Sequence, residues 1–274
     1  MSHTLARALA AFDRTVAGVR GGRHARKTID YLIEELSRSE AMVVQTRRGD
    51  IKFLTARSRH VAEIATHFHD TEPETLEWID QNVGPDQVLW DIGAAVGAYT
   101  LYAARGGARV VSIEPKALSF AVMFEHVALN GLLDRVTPLC AAMSDKVALT
   151  TINYDEITAG AAMNALAGSV TIRGEAPTTY SQGLLALSMD GLRDLFGAPQ
   201  PDHVKLDVDG VEGWILAGGP KTLAKVKTLL VEVEGDNVER AAELIDAPLN
   251  AAGLFEDLAM RSKGQGRNRL FVRA

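Results

Sequence analysis

The chain has 274 residues, 47% of them hydrophobic, at a mean hydropathy of +0.01, which describes one large α/β domain with appendages or two small ones. A formal net charge of −6 and a pI of about 5.7 argue against a general nucleic-acid binder and for a small or acceptor-type substrate. No apolar run approaches the roughly 18 residues needed to span a bilayer, and Arg7, Asp13, Arg14 and Arg20 interrupt any signal-peptide core, so a cytoplasmic protein is expected.

Leu5, Ala8, Phe12, Val16 and Val19 recur at helical spacing, as do Ile29, Ile33 and Leu36, with the basic segment Arg20 to Lys27 between them. Ala41 to Thr46 and Ile51 to Thr55 flank Arg47-Arg48-Gly49-Asp50 and read as a β-hairpin. Residues 1–70 are therefore expected to form a cap of helices and hairpin before the main domain, 71–274. From Glu72 onward strand and helix alternate, with strands predicted at Val88–Ile92, Arg109–Ile113, Val136–Cys140, His203–Asp207 and Leu229–Glu234. Such alternation implies a doubly wound, mostly parallel sheet covered on both faces, with ligands beyond the carboxyl ends of the strands. The segment Asn153 to Gln182, rich in Ala, Gly, Ser and Thr, reads as an insertion and a possible lid. Gly253–Ala259 and Arg269–Arg273 read as a closing antiparallel hairpin, and the single Cys140 as a buried small hydrophobe.

The stretch Trp90 to Thr100, WDIGAAVGAYT, is a strand, a small-residue turn and a helix start. Free backbone N–H groups and a helix dipole at such a junction favour a nucleotide-like ligand. The dinucleotide fingerprint G-x-G-x-x-G fails at Ala95. Asp91, at the strand's end, would be costly to bury without donors or a cation nearby. Glu114, 23 residues after Asp91 and followed by Pro115, is placed to accept hydrogen bonds from ribose hydroxyls. The spacing of Asp91, Gly93 and Gly97 favours S-adenosylmethionine, whose sulfonium and amino-acid tail replace the pyrophosphate of NAD. Farther along, Lys205, Asp207 and Asp209 would share one face of a strand, as would Glu232 and Glu234 on the next.

These residues resemble the FkbM-type S-adenosylmethionine-dependent methyltransferases. The matching elements are Glu72-Pro73-Glu74-Thr75, Asp91-Ile92-Gly93-Ala94 with Gly97, Ile113-Glu114-Pro115, Asn130 with Asp134-Arg135-Val136, Ser144-Asp145, Ser188-Met189-Asp190, Lys205 to Glu212, and Glu232. The resemblance implies a class I methyltransferase fold, a Rossmann-like sheet of seven strands with the last antiparallel, and methylation of hydroxyls on sugars or natural products. It further implies that Gly93, Ala94 and Gly97, with Tyr99 opening the helix, hold the methionine tail; that Glu114 and Pro115 serve the ribose; and that Ala142 and Met143 flank the adenine. Asp209 stands where the family more often has glutamate, and the 153–182 insertion has no counterpart in the resemblance.

The expected activity is O-methyl transfer to a small-molecule or glycan acceptor, with Asp207 or Glu232 as base and Lys205 orienting the acceptor or tuning Asp207. A variant has Asp207, Asp209 and Glu232 or Glu234 binding a divalent cation. The alternatives are an NAD-linked oxidoreductase, disfavoured by Ala95, and a non-catalytic scaffold, disfavoured by the presence of Asp91, Glu114 and Asp207. Neither the acceptor nor the oligomeric state is encoded in these patterns.

Overall fold

The computed structural model describes residues 31, 41–162, 164–169, 179–233, 238–263 and 266–274. The two amino-terminal helices expected from periodicity lie outside those residues, apart from Tyr31. Met42 to Ala274 make one compact unit.

That unit begins with the expected hairpin, β1 (Ala41–Val44) and β2 (Ile51–Leu54), turning through Gly49. Ile51 and Phe53 are fully buried, and they belong to the same core cluster as Trp78, Leu89 and Leu101. Two helices follow, α1 (Arg59–Thr66), capped by the Ser58 hydroxyl, and α2 (Pro73–Asn82), with proline in its first turn where no N–H is needed.

The central sheet uses β3 (Val88–Ile92), β4 (Arg109–Ile113), β5 (Val136–Leu139), β10 (His203–Leu206), β11 (Thr228–Glu232), β12 (Leu254–Asp257) and β13 (Asn268–Arg273). Its order is β12-β13-β11-β10-β3-β4-β5. The pairs β11–β10, β10–β3, β3–β4 and β4–β5 are parallel, while β13 runs antiparallel to both β11 and β12. This is the class I methyltransferase architecture that the resemblance implies, the last strand being inserted antiparallel. Pro138 is tolerated on β5 because β5 is an edge.

Alternation along the strands splits the interior into two cores. Trp90, Ile92, Val111, Ile113, Val204, Leu206, Leu229 and Val231 face one side, and Leu89, Val110 and Leu230 face the other. Asp91, Lys205 and Glu232 fall on the second face by the same period. The chain order jumps from β5 to β10 while the sheet places β10 beside β3, so the switch point lies between β3 and β10, where open α/β sheets bind ligands.

Helices α3 (Ala98–Arg105) and α4 (Ala117–Leu129) follow β3 and β4. A second sheet of four strands, ordered β6-β9-β7-β8, comprises β6 (Ala142–Met143), β7 (Ala148–Tyr154), β8 (Ala165–Leu166) and β9 (Tyr180–Leu187). β7 and β9 pair antiparallel from Ala148↔Ala186 to Tyr154↔Tyr180. The expected insertion is thus rooted in a β-ribbon. Cys140 corrects an expectation: β5 stops at Leu139, and Cys140 is exposed in the bend beyond it.

Candidate active site

The strand tips around the switch point are tied by main-chain bonds. Gly93 and Ala94 donate their N–H groups to the Ile113 carbonyl at 3.0 and 3.1 Å, and the Asp207 N–H donates to Ile92 O at 3.0 Å. Gly93 sits at φ +85°, and a Cβ there would overlap the Asp207 carbonyl oxygen and lie 2.8 Å from its carbonyl carbon. Glycine is required because β10 arrives so close. Ala95 adopts the left-handed region at φ 49°, and its N–H donates to Glu114 Oε2 at 2.9 Å.

A cleft of about 960 Å³, open to solvent at its mouth, lies over these tips. Gly93, Glu114, Pro115, Ala142, Met143 and Asp207, all expected site residues, line it. The expected site residues Asp91, Ala94, Gly97, Tyr99, Lys205 and Glu232 do not line it. Gly97 is needed for packing, because a Cβ there would lie 2.9 Å from Met123 Cγ. At one end of the cleft Glu114 also accepts from the Lys116 N–H at 2.8 Å. Burial outweighs these bonds and pushes its carboxyl up to about 8. Beside it Ile113, Pro115, Ala142, Met143, Ile152 and Leu166 make an apolar slot. A hydrogen-bond acceptor next to a flat apolar slot fits a nucleoside, ribose toward Glu114 and base between the apolar walls.

At the other end is a buried charge cluster. Lys205, 2% exposed, donates to Asp207 Oδ2, and its Nζ lies 4.9 Å over the Tyr99 ring. The register pairs Lys205 with Asp91 on β3 and Leu206 with Val231 on β11, which brings Asp207 beside Glu232 at neighbouring strand tips. Burial alone would lower the Lys205 ammonium, but Asp207, Glu72 and Asp91 reverse this and raise it. Burial would raise Asp207, and the Lys205 ammonium holds it low instead. Glu232 goes the other way, up to about 9, through burial and the adjacent Asp207. Arg267 Nη1 reaches Glu232 Oε1 at 3.3 Å. Asp91 accepts from Thr100 Oγ1 at 2.5 Å, its other oxygen has no hydrogen-bond partner, and burial raises its carboxyl.

Glu72 and Arg267 were not assigned by sequence reasoning. Glu72 was visible only as part of a matched tetrapeptide; it accepts from Thr75 Oγ1 at 2.8 Å and bears electrostatically on Tyr99 and Lys205. Nor was Asn164, whose N–H and Nδ2 both donate to Asp209 Oδ2, at 2.7 and 3.1 Å, across the cleft wall. Lys116, 1% exposed, was also missed: its Nζ lies 4.7 Å from the Tyr154 ring and 3.4 Å from Ala161 O. Among the described residues no group of three or more His, Cys, Asp or Glu is arranged to hold a metal ion. Nor is any described helix long and apolar enough to cross a membrane.

Residues 91–262, well over half of the chain, match the family model of the methyltransferase FkbM domain. The chain belongs to the FkbM methyltransferase family. Family membership implies S-adenosylmethionine as methyl donor, and the cleft's nucleoside end and acid-rich far end suit its two halves. A hexuronic acid methyltransferase of Haloferax volcanii, AglP, is 26% identical over 163 residues, 59% of this chain and 62% of AglP. A ribosomal protein L11 methyltransferase of Desulfitobacterium hafniense is 33% identical over 72 residues, 26% of this chain and 23% of the relative. The chain thus spans less than two thirds of either relative. Among solved structures, an FkbM methyltransferase of Methylobacillus flagellatus is 12% identical, with a TM-score of 0.46, covering 78% of this chain and 62% of the other.

Proposed function

We propose that the FkbM domain transfers a methyl group from S-adenosylmethionine to a hydroxyl oxygen of a sugar or natural-product acceptor. The carrying observation is the carboxyl pair Asp207 and Glu232, braced by Lys205 and Arg267, at the strand tips where Asp207 meets the cleft. The AglP resemblance supports a sugar acceptor. The cofactor supplies an activated methyl, so the chain must hold the acceptor oxygen in line and accept its proton. Glu114 holds the ribose, Ala142 and Met143 the base, and Asp207 faces the cationic end. The pair takes the acceptor's proton, while Lys205 fixes the direction of the Asp207 carboxyl. The Asn164 bonds to Asp209 hold residues 164–169 at the cleft as part of a cover, and hydrogen exchange that slows there when cofactor and acceptor are added tests that role.

The test of function uses the purified chain, S-adenosylmethionine with an isotopically labelled methyl, and a panel of neutral sugars, uronic acids and phenolic natural products read by mass spectrometry. An alkali-stable labelled product is expected. Label released by mild alkali would mean a carboxyl acceptor and an ester, overturning the hydroxyl assignment. Thermal stabilisation by NAD, with none by S-adenosylmethionine or its demethylated product, would overturn the methyltransferase reading. Asp207→Asn is expected to reduce turnover by roughly 10²–10⁴-fold with a smaller change in cofactor affinity.

A further inference from the structure

Asp207 and Glu232 occupy equivalent positions at the tips of adjacent parallel strands, which run roughly 4.8 Å apart. The two carboxyls bear on each other electrostatically. Two ionised carboxylates at neighbouring tips repel, and one proton shared between them removes that repulsion. The surroundings decide which oxygen keeps it. Lys205 contacts Asp207 directly, and Arg267 stands 3.3 Å from Glu232. Lys205 in turn faces Glu72 at the start of α2 and Asp91 on β3. The helix elements add Tyr99 from α3 and Glu212, the residue two beyond Gly210, both of which sense Asp207.

With Glu232 neutral, the cations Lys205 and Arg267 stand against the acidic groups Asp207, Glu72 and Asp91. A positively charged group arriving at Asp207 breaks that balance. The balance is restored by loss of the proton that the pair holds, because Asp207, Glu72 and Asp91 keep the Lys205 ammonium charged.

We propose that Asp207 and Glu232 act as a single proton-holding pair, which gives up its proton when the cationic amino-acid end of the cofactor is seated and regains one from the acceptor hydroxyl. The proposal rests on the methyltransferase reading and assigns the pair a loading step beyond it. In the transfer, the acceptor oxygen bonds to the methyl carbon and the carbon–sulfur bond breaks with its electron pair going to sulfur. The hydroxyl proton passes to the pair at Asp207, the member that lines the cleft. Each turnover releases one proton, and it leaves on cofactor binding. The upward displacement of Glu232 to about 9 agrees with a pair that is protonated at neutral pH until cofactor arrives.

Calorimetric titration of the full chain with S-adenosylmethionine, and separately with its demethylated product, at pH 7.5 in phosphate and in Tris reads the protons released from the buffer dependence of the heat. Glu114 also titrates near the cleft, at about 8, so the decisive quantity is the difference between proteins. Glu232→Gln should release about one proton fewer per cofactor bound than the wild type, and Glu232→Asp should restore it. Between pH 6.5 and 8.5 the wild-type Kd should fall with pH more steeply than that of Glu232→Gln by about tenfold per unit. If Glu232→Gln does not fold, Asp207→Asn, which leaves no ionised partner to share the proton, should show the same loss. Equal release by wild type and Glu232→Gln, or binding heat independent of buffer, overturns the pair while leaving the cofactor reading intact. No binding of either nucleotide overturns both.

Discussion

Replacing Gly93 with alanine tests the closest approach in the fold. The residue sits at φ +85°, where an L side chain costs about 1–2 kcal/mol. Its new Cβ would overlap the Asp207 carbonyl oxygen and lie 2.8 Å from the carbonyl carbon and 3.2 Å from Val208 Cγ1. The obstructing atoms are backbone at the tip of β10, which β3 holds through the Asp207 N–H to Ile92 O bond, so no rotamer change relieves the clash. Overpacking of this kind adds about 1–3 kcal/mol, for a total of about 2–5 kcal/mol. At roughly 2–4 °C per kcal/mol for a domain of this size, Gly93→Ala should melt about 5–15 °C lower by circular dichroism. Ala95→Gly is the internal control: it relieves a left-handed alanine at φ 49° and loses about 0.4–1 kcal/mol to unfolded-chain entropy. It should raise the melting temperature slightly. A Gly93→Ala protein melting within about 2 °C of wild type would refute the claim that β10 sets the need for glycine.

Glu212, 2% exposed, is pushed by burial up to about 8, so the folded chain holds a proton there that the unfolded chain loses near 4.5. Wild-type stability on this account falls as pH rises through that window, and the melting temperature of Glu212→Gln relative to wild type should climb from pH 5 to pH 8; a constant difference would count against it. Arg269 joins β13 to Glu256 at 2.9 and 2.6 Å and to Asp246 at 2.5 Å while 6% exposed. Arg269→Met should cost about 3 kcal/mol in urea denaturation, the low end for breaking a buried pair, because Arg261 still reaches Glu256. Glu114→Ala should weaken S-adenosylmethionine binding by about tenfold, the loss of hydrogen bonds worth about 0.5–1.5 kcal/mol each, and unchanged affinity in calorimetry would mean that the carboxyl does not meet the ribose.

The parallel sheet was legible because strands buried on both faces leave uninterrupted apolar runs. Val88–Ile92 and Arg109–Ile113 have the bounds that the pattern predicts, and the closing antiparallel hairpin is present. The ribbon of β7 and β9 was not legible. Its strands carry Thr151 and Asn153 opposite Gly183 and Ser181, and Leu149 is 85% exposed, so no alternation of apolar and polar residues marks it. Cys140 misled because apolar residues surround it in sequence while the chain has already turned out of the strand. The acids of the site could be read from position, since Asp91, Glu114, Asp207 and Glu232 each end or follow a strand. What each acid does could not be. Lys205 meets Asp91 through strand register, Glu72 through the start of a helix far back in the chain, and Arg267 reaches Glu232 from the loop before β13.

The same distinction bears on Ala95. In sequence, the missing glycine disfavours a pyrophosphate because alanine resists the left-handed turn. The structure places Ala95 in that turn regardless, so conformation alone does not separate the cofactors. Occupancy of the donors does. The N–H groups of Gly93 and Ala94 are taken by the Ile113 carbonyl, that of Ala95 by Glu114 and that of Gly97 by the Ala94 carbonyl. A pyrophosphate would need those same donors, and would have to displace a backbone carbonyl that ties β3 to β4 and the Glu114 carboxyl that holds the Ala95 N–H. A ligand with hydroxyls for Glu114 and a cation for Asp207 needs none of them. The occupied donors thus disfavour a pyrophosphate at this turn.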